Sequence, residues 1–307
     1  MTEHDRTQTI VVTGASGLIG KRLVASLEGD RRRVIRAVRR EVQDPVREMR
    51  WDPQRGQIDR DKLSGVDAVV HLAGANIAGK RWTPAYKQLL IDSRVEGTTL
   101  ISEAVATLDP KPRVLVCASA IGFYGDRGDA LLDESATCGD AFLPEVCLQW
   151  ERACQPARDA GVRVANMRLG VVLSPEGGAL AKMLTPFKLG GGGVLGSGRQ
   201  YFSWISLDDA VRAIEHVLCH EQLSGPVNVV APTPVTNREF TKTLGKVLSR
   251  PTIVPMPAFA ARLLFGEMAD ALLLASTRVT PTALVESGFD FLHADLETAL
   301  RHVLDKR

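Results

Sequence analysis

The sequence offers little that would staple or anchor it. Its cysteines number five (Cys117, Cys138, Cys147, Cys154 and Cys219), an odd count with no CxxC pair, so neither a disulfide scaffold nor a zinc site is expected. The six histidines show no metal-ligand spacing, and no metal is expected. Charge of one sign is not in excess: the net value is +2 with both signs interspersed, which argues against a nucleic-acid binder. The basic run "RRRVIRAVRR" at 31–40 reads in the first instance as solvated surface. No long uncharged apolar run is present. The most apolar late stretch, residues 257–276, contains Arg262, Glu267 and Asp270 and reads as a partly buried helix, not a membrane span. The opening "MTEHDRTQTI" is polar and leads into a strand, so no signal peptide is expected. A reducing cytoplasmic location is the default. There is no internal repeat and no low-complexity tail.

What the chain does have is a core and a rhythm. An apolar content of 45% suits a globular protein of this length. "TIVVT" at 9–13, "RVIRAV" at 33–38, "GVDAVVHLAG" at 65–74, "RVLVCASA" at 113–120 and "VRVANMRLG" at 162–170 read as strands. Helical patterns separate them, including a long amphipathic one at 83–108 with Thr83 as N-cap and Pro84 at N1. Strands alternating with helices predict an α/β fold with a parallel sheet covered on both faces. After Gly170 the pattern changes to a glycine-rich stretch, 173–200, read as a short helix and a mobile loop, then to mostly helical segments. This predicts a nucleotide-binding domain over 1–170 and a substrate lobe over 171–307. Strands near 202–206 and 227–231 either return to the main sheet or form a small one.

The strongest motif is "TGASGLIG" at 13–20, which places Gly14, Gly17 and Gly20 between a strand and a helix. Gly14 permits the tight turn, Gly17 lets backbone approach a pyrophosphate, and Gly20 lets helix and strand pack closely. The N–H groups and dipole of the helix start, around Ser16, Leu18 and Ile19, then suit phosphate. An NAD site usually offers an acidic residue about twenty positions on to bind the ribose 2′-hydroxyl. Here Arg39 and Arg40 stand there, which favours NADP(H), with NAD less favoured. A charge-assisted contact of this kind is worth roughly 1.5–3 kcal/mol, about 10–100-fold in preference. Glu41 opposes this reading, and ordinary surface charge is the alternative for Arg39.

"TGASGLIG", "HLAG" at 71–74 and "ASAIGFYG" at 118–125 resemble the extended short-chain dehydrogenase/reductase family of sugar-nucleotide epimerases and dehydratases. "WDP" at 51–53, "IAGKRWTPAYKQLLIDSRVEGT" and the long segment from "RLGVVLSPEGG" to "SLDD" are similar to its atypical subgroup, the epimerase family proteins. The resemblance spans nearly the whole chain. It implies a Rossmann-type doubly wound sheet that binds NADP, with a smaller, mostly helical C-terminal lobe closing on a small polar or nucleotide-linked substrate. It implies that Leu72, Ala73 and Gly74 lie along the cofactor, that Arg168 passes near the nicotinamide, and that Ser119 takes the catalytic serine's place. Homodimerisation through helices near 85–107 and 142–160 is a further implication; no membrane or nucleic-acid partner is implied.

The pattern then departs from the family. Its tyrosine and lysine, four residues apart on one helix, match Cys147 and Glu151 here. No tyrosine lies between Tyr124 and Tyr201, and no lysine between Lys111 and Lys182. A carboxylate beside a thiol raises the thiol pKa, so Cys147 reads as core packing. Tyr124 and Glu151 remain as candidates to move a proton beside Ser119. Tyr201 and Trp204 are candidates for a substrate face or for core. Lys80, Arg81 and Lys87 suit either an anion or a solvated helix start, and Asp208 and Asp209 read as helix caps. The expectation is an oxidoreductase or epimerase-like enzyme; the alternative is a non-catalytic NADP(H)-binding sensor or scaffold.

Overall fold

The computed structural model describes residues 7–30 and 32–306. Most of the polar N-terminal stretch, Arg31 of the basic run and the final residue lie outside the described residues.

The strands are β1 (Thr9–Thr13), β2 (Arg33–Val38), β3 (Glu48–Asp52), β4 (Gln57–Ile58), β5 (Ala68–His71), β6 (Val114–Ala120) and β7 (Leu131–Leu132). There follow β8 (Arg163–Leu169), β9 (Val171–Leu173), β10 (Tyr201–Phe202), β11 (Trp204–Ser206), β12 (Gly225–Val229), β13 (Val235–Thr236) and β14 (Arg278–Val279). The helices are α1 (Leu18–Gly29), α2 (Arg60–Leu63), α3 (Pro84–Ala106), α4 (Phe142–Arg152), α5 (Gln155–Asp159) and α6 (Gly178–Lys188). They continue with α7 (Leu207–Cys219), α8 (Asn237–Leu248), α9 (Ala258–Phe265), α10 (Thr282–Glu286) and α11 (Leu296–Val303).

Eight strands form the main sheet in the order β12-β8-β6-β5-β1-β2-β3-β4. All neighbours are parallel except β3 and β4. The fold is therefore a Rossmann-type doubly wound sheet. Strand β1 shows why both faces are covered. Val11 and Val12 are both fully buried but point to opposite sides. Val12 packs with Leu23, Leu27, Ile214 and Val217 from α1 and α7, and Val11 with Ile101, Val105 and Trp150 from α3 and α4. Each such side chain contributes about 1.5–3 kcal/mol when buried. β1 lies between β2 and β5, so the chain winds away from it in both directions. That switch point opens a crevice at the carboxyl ends of the strands.

The β3–β4 hairpin was not legible in advance. Buried Met49 and Trp51 alternate with Glu48, Arg50 and Asp52, a period-two pattern too short to stand out. Gly56, at φ +60°, closes the turn. Beyond residue 170, β12 hydrogen-bonds to β8 at the sheet edge and α7 packs on the sheet. β11 instead pairs with β9 in a separate two-stranded sheet. Gly170 sits between the two sheets, where a Cβ would come within 2.7 Å of Val230 and 2.9 Å of the Ser203 carbonyl.

The glycine-rich loop expected to be mobile is pinned. Met256 N–H donates to Val194 at 2.9 Å, Gly196 N–H to Met256 at 2.9 Å, and Leu195 N–H to Asn237 Oδ1 at 2.9 Å. A Cβ on Gly193 would land on the Val254 carbonyl, so the glycine permits the close approach. Residues 257–276 form α9 and a wide turn at Ala269–Leu274, broken at Gly266, rather than one helix. No helix among the described residues is long and apolar enough to cross a membrane.

Candidate active site

The glycine turn lies at the carboxyl end of β1. Gly14 has φ +67°, and a Cβ there would come within 2.8 Å of the Leu72 backbone. A Cβ on Gly20 would land on the Gly14 carbonyl oxygen, so helix and turn touch only because none is present. Gly17 caps α1 with no side-chain hydrogen bond, and Ser16 and Gly17 are exposed. The first-turn N–H groups, those of Leu18, Ile19 and Gly20, thus lack a side-chain cap. An open glycine cradle with such donors fits a dinucleotide pyrophosphate. At the end of β5, the Thr13 hydroxyl accepts from the N–H groups of Leu72 (3.2 Å) and Ala73 (3.3 Å), which fixes this edge of the crevice. Gly74 next to them is exposed.

Arg39 and Arg40 follow β2, the neighbour of β1, but they differ. Arg40 donates to both carboxylate oxygens of Glu48, at 2.9 and 2.5 Å, and to the Glu41 carbonyl. The Arg40 guanidinium and backbone N–H bonds hold the Glu48 carboxyl far below its usual range, at about 2. The Arg39 side chain is exposed and makes no hydrogen bond or ion pair among the described residues.

Ser119, Tyr124, Glu151 and Arg168 converge. Ser119 and Arg168 are paired residues near the carboxyl ends of β6 and β8. The Ser119 hydroxyl donates to Glu151 Oε1 at 2.7 Å. Arg168 donates from Nε to the same oxygen at 2.9 Å and from Nη2 to Oε2 at 3.0 Å. Its Nη1 reaches the Tyr124 hydroxyl at 3.0 Å, and its Cζ lies 3.5 Å from the Phe123 ring centre. Burial works against the Arg168 charge, but the bonds to Glu151 outweigh it and the guanidinium pKa is raised. The Tyr124 hydroxyl donates to Asn228 Oδ1 at 2.7 Å. Tyr124 is fully buried and burial raises its pKa, so it braces Arg168 rather than reaching the cleft. Arg168 in turn is held by Glu151 and Tyr124 near the carboxyl end of β8.

Helix α4 (FLPEVCLQWER) carries neither tyrosine nor lysine. Cys147 is buried, and burial with the nearby Glu151 charge pushes its thiol up to about 12. Packing is its role. Trp204 is likewise fully buried, whereas Tyr201 is only half-buried. Two of the cations after "HLAG", Arg81 and Lys87, face the C-terminal segments, and Lys80 is exposed. Lys87 pairs with Glu267 at 2.6 Å, Arg81 lies against Gly266, and Lys182 of α6 donates to the Ala78 carbonyl at 2.9 Å. Asp208 and Asp209 are not the caps expected. Ser206 caps α7, Asp208 binds Arg22 and His302, and buried Asp209 accepts the N–H groups of Leu292 and His293.

The sequence matches the NAD dependent epimerase/dehydratase family over residues 10–230, a span that includes the glycine turn and all of the main sheet but Thr9. The chain belongs to that family. Residues 256–303 also match the domain of unknown function DUF1731. An epimerase family protein of Mycobacterium bovis is 46% identical over 291 residues, covering 95% of this chain and 96% of its own length. A chloroplastic homologue in Arabidopsis thaliana is 37% identical, covering 99% and 88%. The crystal structure of human epimerase family protein SDR39U1 with NADPH superposes with a TM-score of 0.87 at 30% identity, covering 97% and 99%.

Two features of this epimerase/dehydratase-family chain escaped the sequence. Arg94 donates to the carbonyls of Leu90 (3.0 Å) and Ala75 (3.1 Å) and lies over Trp150, while Ser93 Oγ accepts the Ala75 N–H. Together they clamp the turn after β5. The signal was present: Leu90, Arg94, Gly97 and Ile101 keep helical spacing, so Arg94 is a cation inside a buried stripe. The second is His71, whose Nδ1 lies 2.7 Å from Thr13 Oγ1. Since that hydroxyl already accepts two N–H groups, its proton points to Nδ1 and the ring is neutral. Burial lowers the His71 pKa from 6.5 to about 4. Its stabilising contribution is present above pH 6.5 and lost as pH falls toward 4, by about 3 kcal/mol. Urea unfolding across that window should show a shallower loss of stability for His71→Asn than for the parent. Equal slopes would remove His71 as the cause.

Proposed function

We propose that the chain is an NADP(H)-dependent oxidoreductase or epimerase-like enzyme of the cytosol, acting on a small polar or nucleotide-linked substrate. The observation that carries this is the Ser119–Glu151–Arg168 constellation at the carboxyl end of the sheet, beside a dinucleotide cradle. The bound dinucleotide would supply hydride transfer; the chain's task is to move a proton and hold geometry. Ser119 donates to Glu151, which leaves its lone pairs to accept a substrate hydroxyl. Proton release from that hydroxyl to Ser119 Oγ then runs with transfer of the serine proton to Glu151. Arg168 and Tyr124 are positioning residues. The segments after residue 170 supply the substrate side. Arg39, free where Arg40 is not, is the residue for a 2′-phosphate.

A second reading has its own support. Ser119 is 2% exposed, and both oxygens of Glu151 are already bonded to Arg168. On that reading the network is structural and the protein binds NADP(H) as a sensor or scaffold.

One experiment separates them. Fluorescence titration should show NADPH bound more tightly than NADH, and Arg39→Ala should weaken NADPH by about 10–100-fold while leaving NADH nearly unchanged. Single-turnover mixing of NADPH-loaded protein with a panel of carbonyl compounds should oxidise the cofactor, at least 100-fold more slowly in Ser119→Ala, on the order expected for lost general acid–base catalysis. Tight binding with no oxidation across the panel supports the second reading. Failure to bind either nucleotide defeats both.

A further inference from the structure

Helix α9 buries only Ala261. Its Phe259, Leu263 and Leu264 are 72%, 76% and 60% exposed. Phe259 and Leu263 stand four residues apart and so share a face. Ile253 (79%) and Val254 (52%) are exposed just before the helix, and Leu189 (82%) at the end of α6. These stretches lie side by side, since Arg250 Nε donates to the Lys188 carbonyl at 2.9 Å and the Val254 N–H to the Gly192 carbonyl at 3.3 Å. Apolar residues exposed singly are ordinary; six gathered together are not. At about 200 Å² for a fully exposed large apolar residue, the six present on the order of 700–800 Å². The largest apolar patch on a typical monomer is about 300–600 Å², and a stable dimer covers about 800 Å² on each partner.

This face is held in place by the fold. Arg262 Nε donates to both oxygens of Asp270, at 2.9 and 3.2 Å, which ties α9 to the turn at Ala269–Leu274. Met268 and Leu272 then pack with Trp82, Tyr86 and Phe142, at the starts of α3 and α4. The face is thus ordered before anything binds, and a partner meets it without that cost. The same packing decides between two candidate faces. Helices α3 and α4, where the resemblance implies a dimer, expose only Leu89 among their large apolar side chains, at 40%, and the chain's own Met268 and Leu272 cover their starts. The rim of the α9 face carries both signs. Lys188 and Arg250 border Leu189 and Ile253 at one end, and Glu267 and Asp270 follow α9 at the other, all exposed. In a two-fold, antiparallel arrangement the cationic end of one copy meets the acidic end of its partner. A lipid surface or a nucleic acid instead needs unpaired cations, and the one cation of α9 is already held by Asp270.

We propose that the outer face of α9, with Leu189, Ile253 and Val254, is a self-association surface that binds the same face of a second copy of this chain about a two-fold axis. The test is sedimentation velocity of the full-length protein from about 1 to 100 μM, a range that brackets the micromolar or tighter affinity such an area supports. The parent should run as a dimer through the upper part of that range. Phe259→Asp combined with Leu263→Asp should raise the dissociation constant about 100-fold, as loss of two apolar anchors does. Ile253→Lys, at the edge of the face, should raise it about tenfold, and Leu89→Asp on α3 should leave it unchanged. All four residues are exposed, so each variant should keep the parent's melting temperature and circular dichroism. A parent that is monomeric throughout, or a dimer that withstands the double substitution, overturns the proposal. So does a monomeric parent that binds vesicles of anionic phospholipid through Phe259 and Leu263, since the face would then belong to a lipid surface.

Discussion

Arg168→Met is expected to lower folding stability by about 3 kcal/mol or more, among the largest single effects in the molecule. The reason is what it leaves behind. Arg168 is 4% exposed and the Glu151 side chain 12% exposed, so the carboxylate would remain in a site that solvent barely reaches, with only the Ser119 hydroxyl as a partner. The Tyr124 hydroxyl would lose a donor at the same time. Removing both charges is different, because a buried pair replaced by apolar groups of similar size is often neutral. Arg168→Met with Glu151→Leu should therefore recover most of the loss. Urea unfolding of the parent, the single and the double variant at pH 7.5 measures this. A double variant as unstable as the single would mean that packing of Arg168 on Phe123, not charge, holds the site together.

Gly20→Ala and Gly29→Ala should have opposite signs, though both lie in α1. At Gly20 the new methyl falls on the Gly14 carbonyl oxygen and within 2.9 Å of the Ala15 Cα, so backbone has to move. Overpacking of this kind costs about 1–3 kcal/mol. The displaced element is the glycine turn proposed to hold the phosphates, and loss of even one charge-assisted contact there should weaken NADPH by about 10–100-fold. At Gly29 nothing lies within 4 Å, and alanine should stabilise the helix by roughly 0.5–1 kcal/mol. Thermal melts and NADPH titrations of the two variants decide the matter. Unimpaired binding by Gly20→Ala would mean that the turn is not the dinucleotide site.

Much of this frame could be read before the structure was known. The glycine turn, β1, α1 and the Thr83 cap are local, set by residues adjacent in the chain. Ser119 and Glu151 were singled out separately, and Arg168 for a different role. That these three meet depends on β6 and β8 pairing in register, which no local pattern records. Arg40 illustrates the same limit. Its partner Glu48 lies across the β2–β3 ladder, so the two arginines after β2 looked alike until the ladder was drawn. Arg94 was overlooked for another reason, since a cation on an amphipathic helix is ordinarily solvated.

The path of the chain through Gly170 bears on how this protein comes to be folded. After β8 it leaves the main sheet, forms β9, α6, β10 and β11, and returns as α7 and β12 before leaving again. Leu284 and Phe289, later still, pack into the same core as β1. During synthesis the ribosome therefore releases a sheet with an open edge at β8, which stays unpaired until Val229 has emerged. The glycine turn is made early, but the floor around it closes only when distant chain arrives. Such non-local closure slows folding and ties both lobes to one cooperative unit. A shortened chain ending at residue 170 would expose the β8 edge and the face that α7 covers, and would aggregate before it could bind anything.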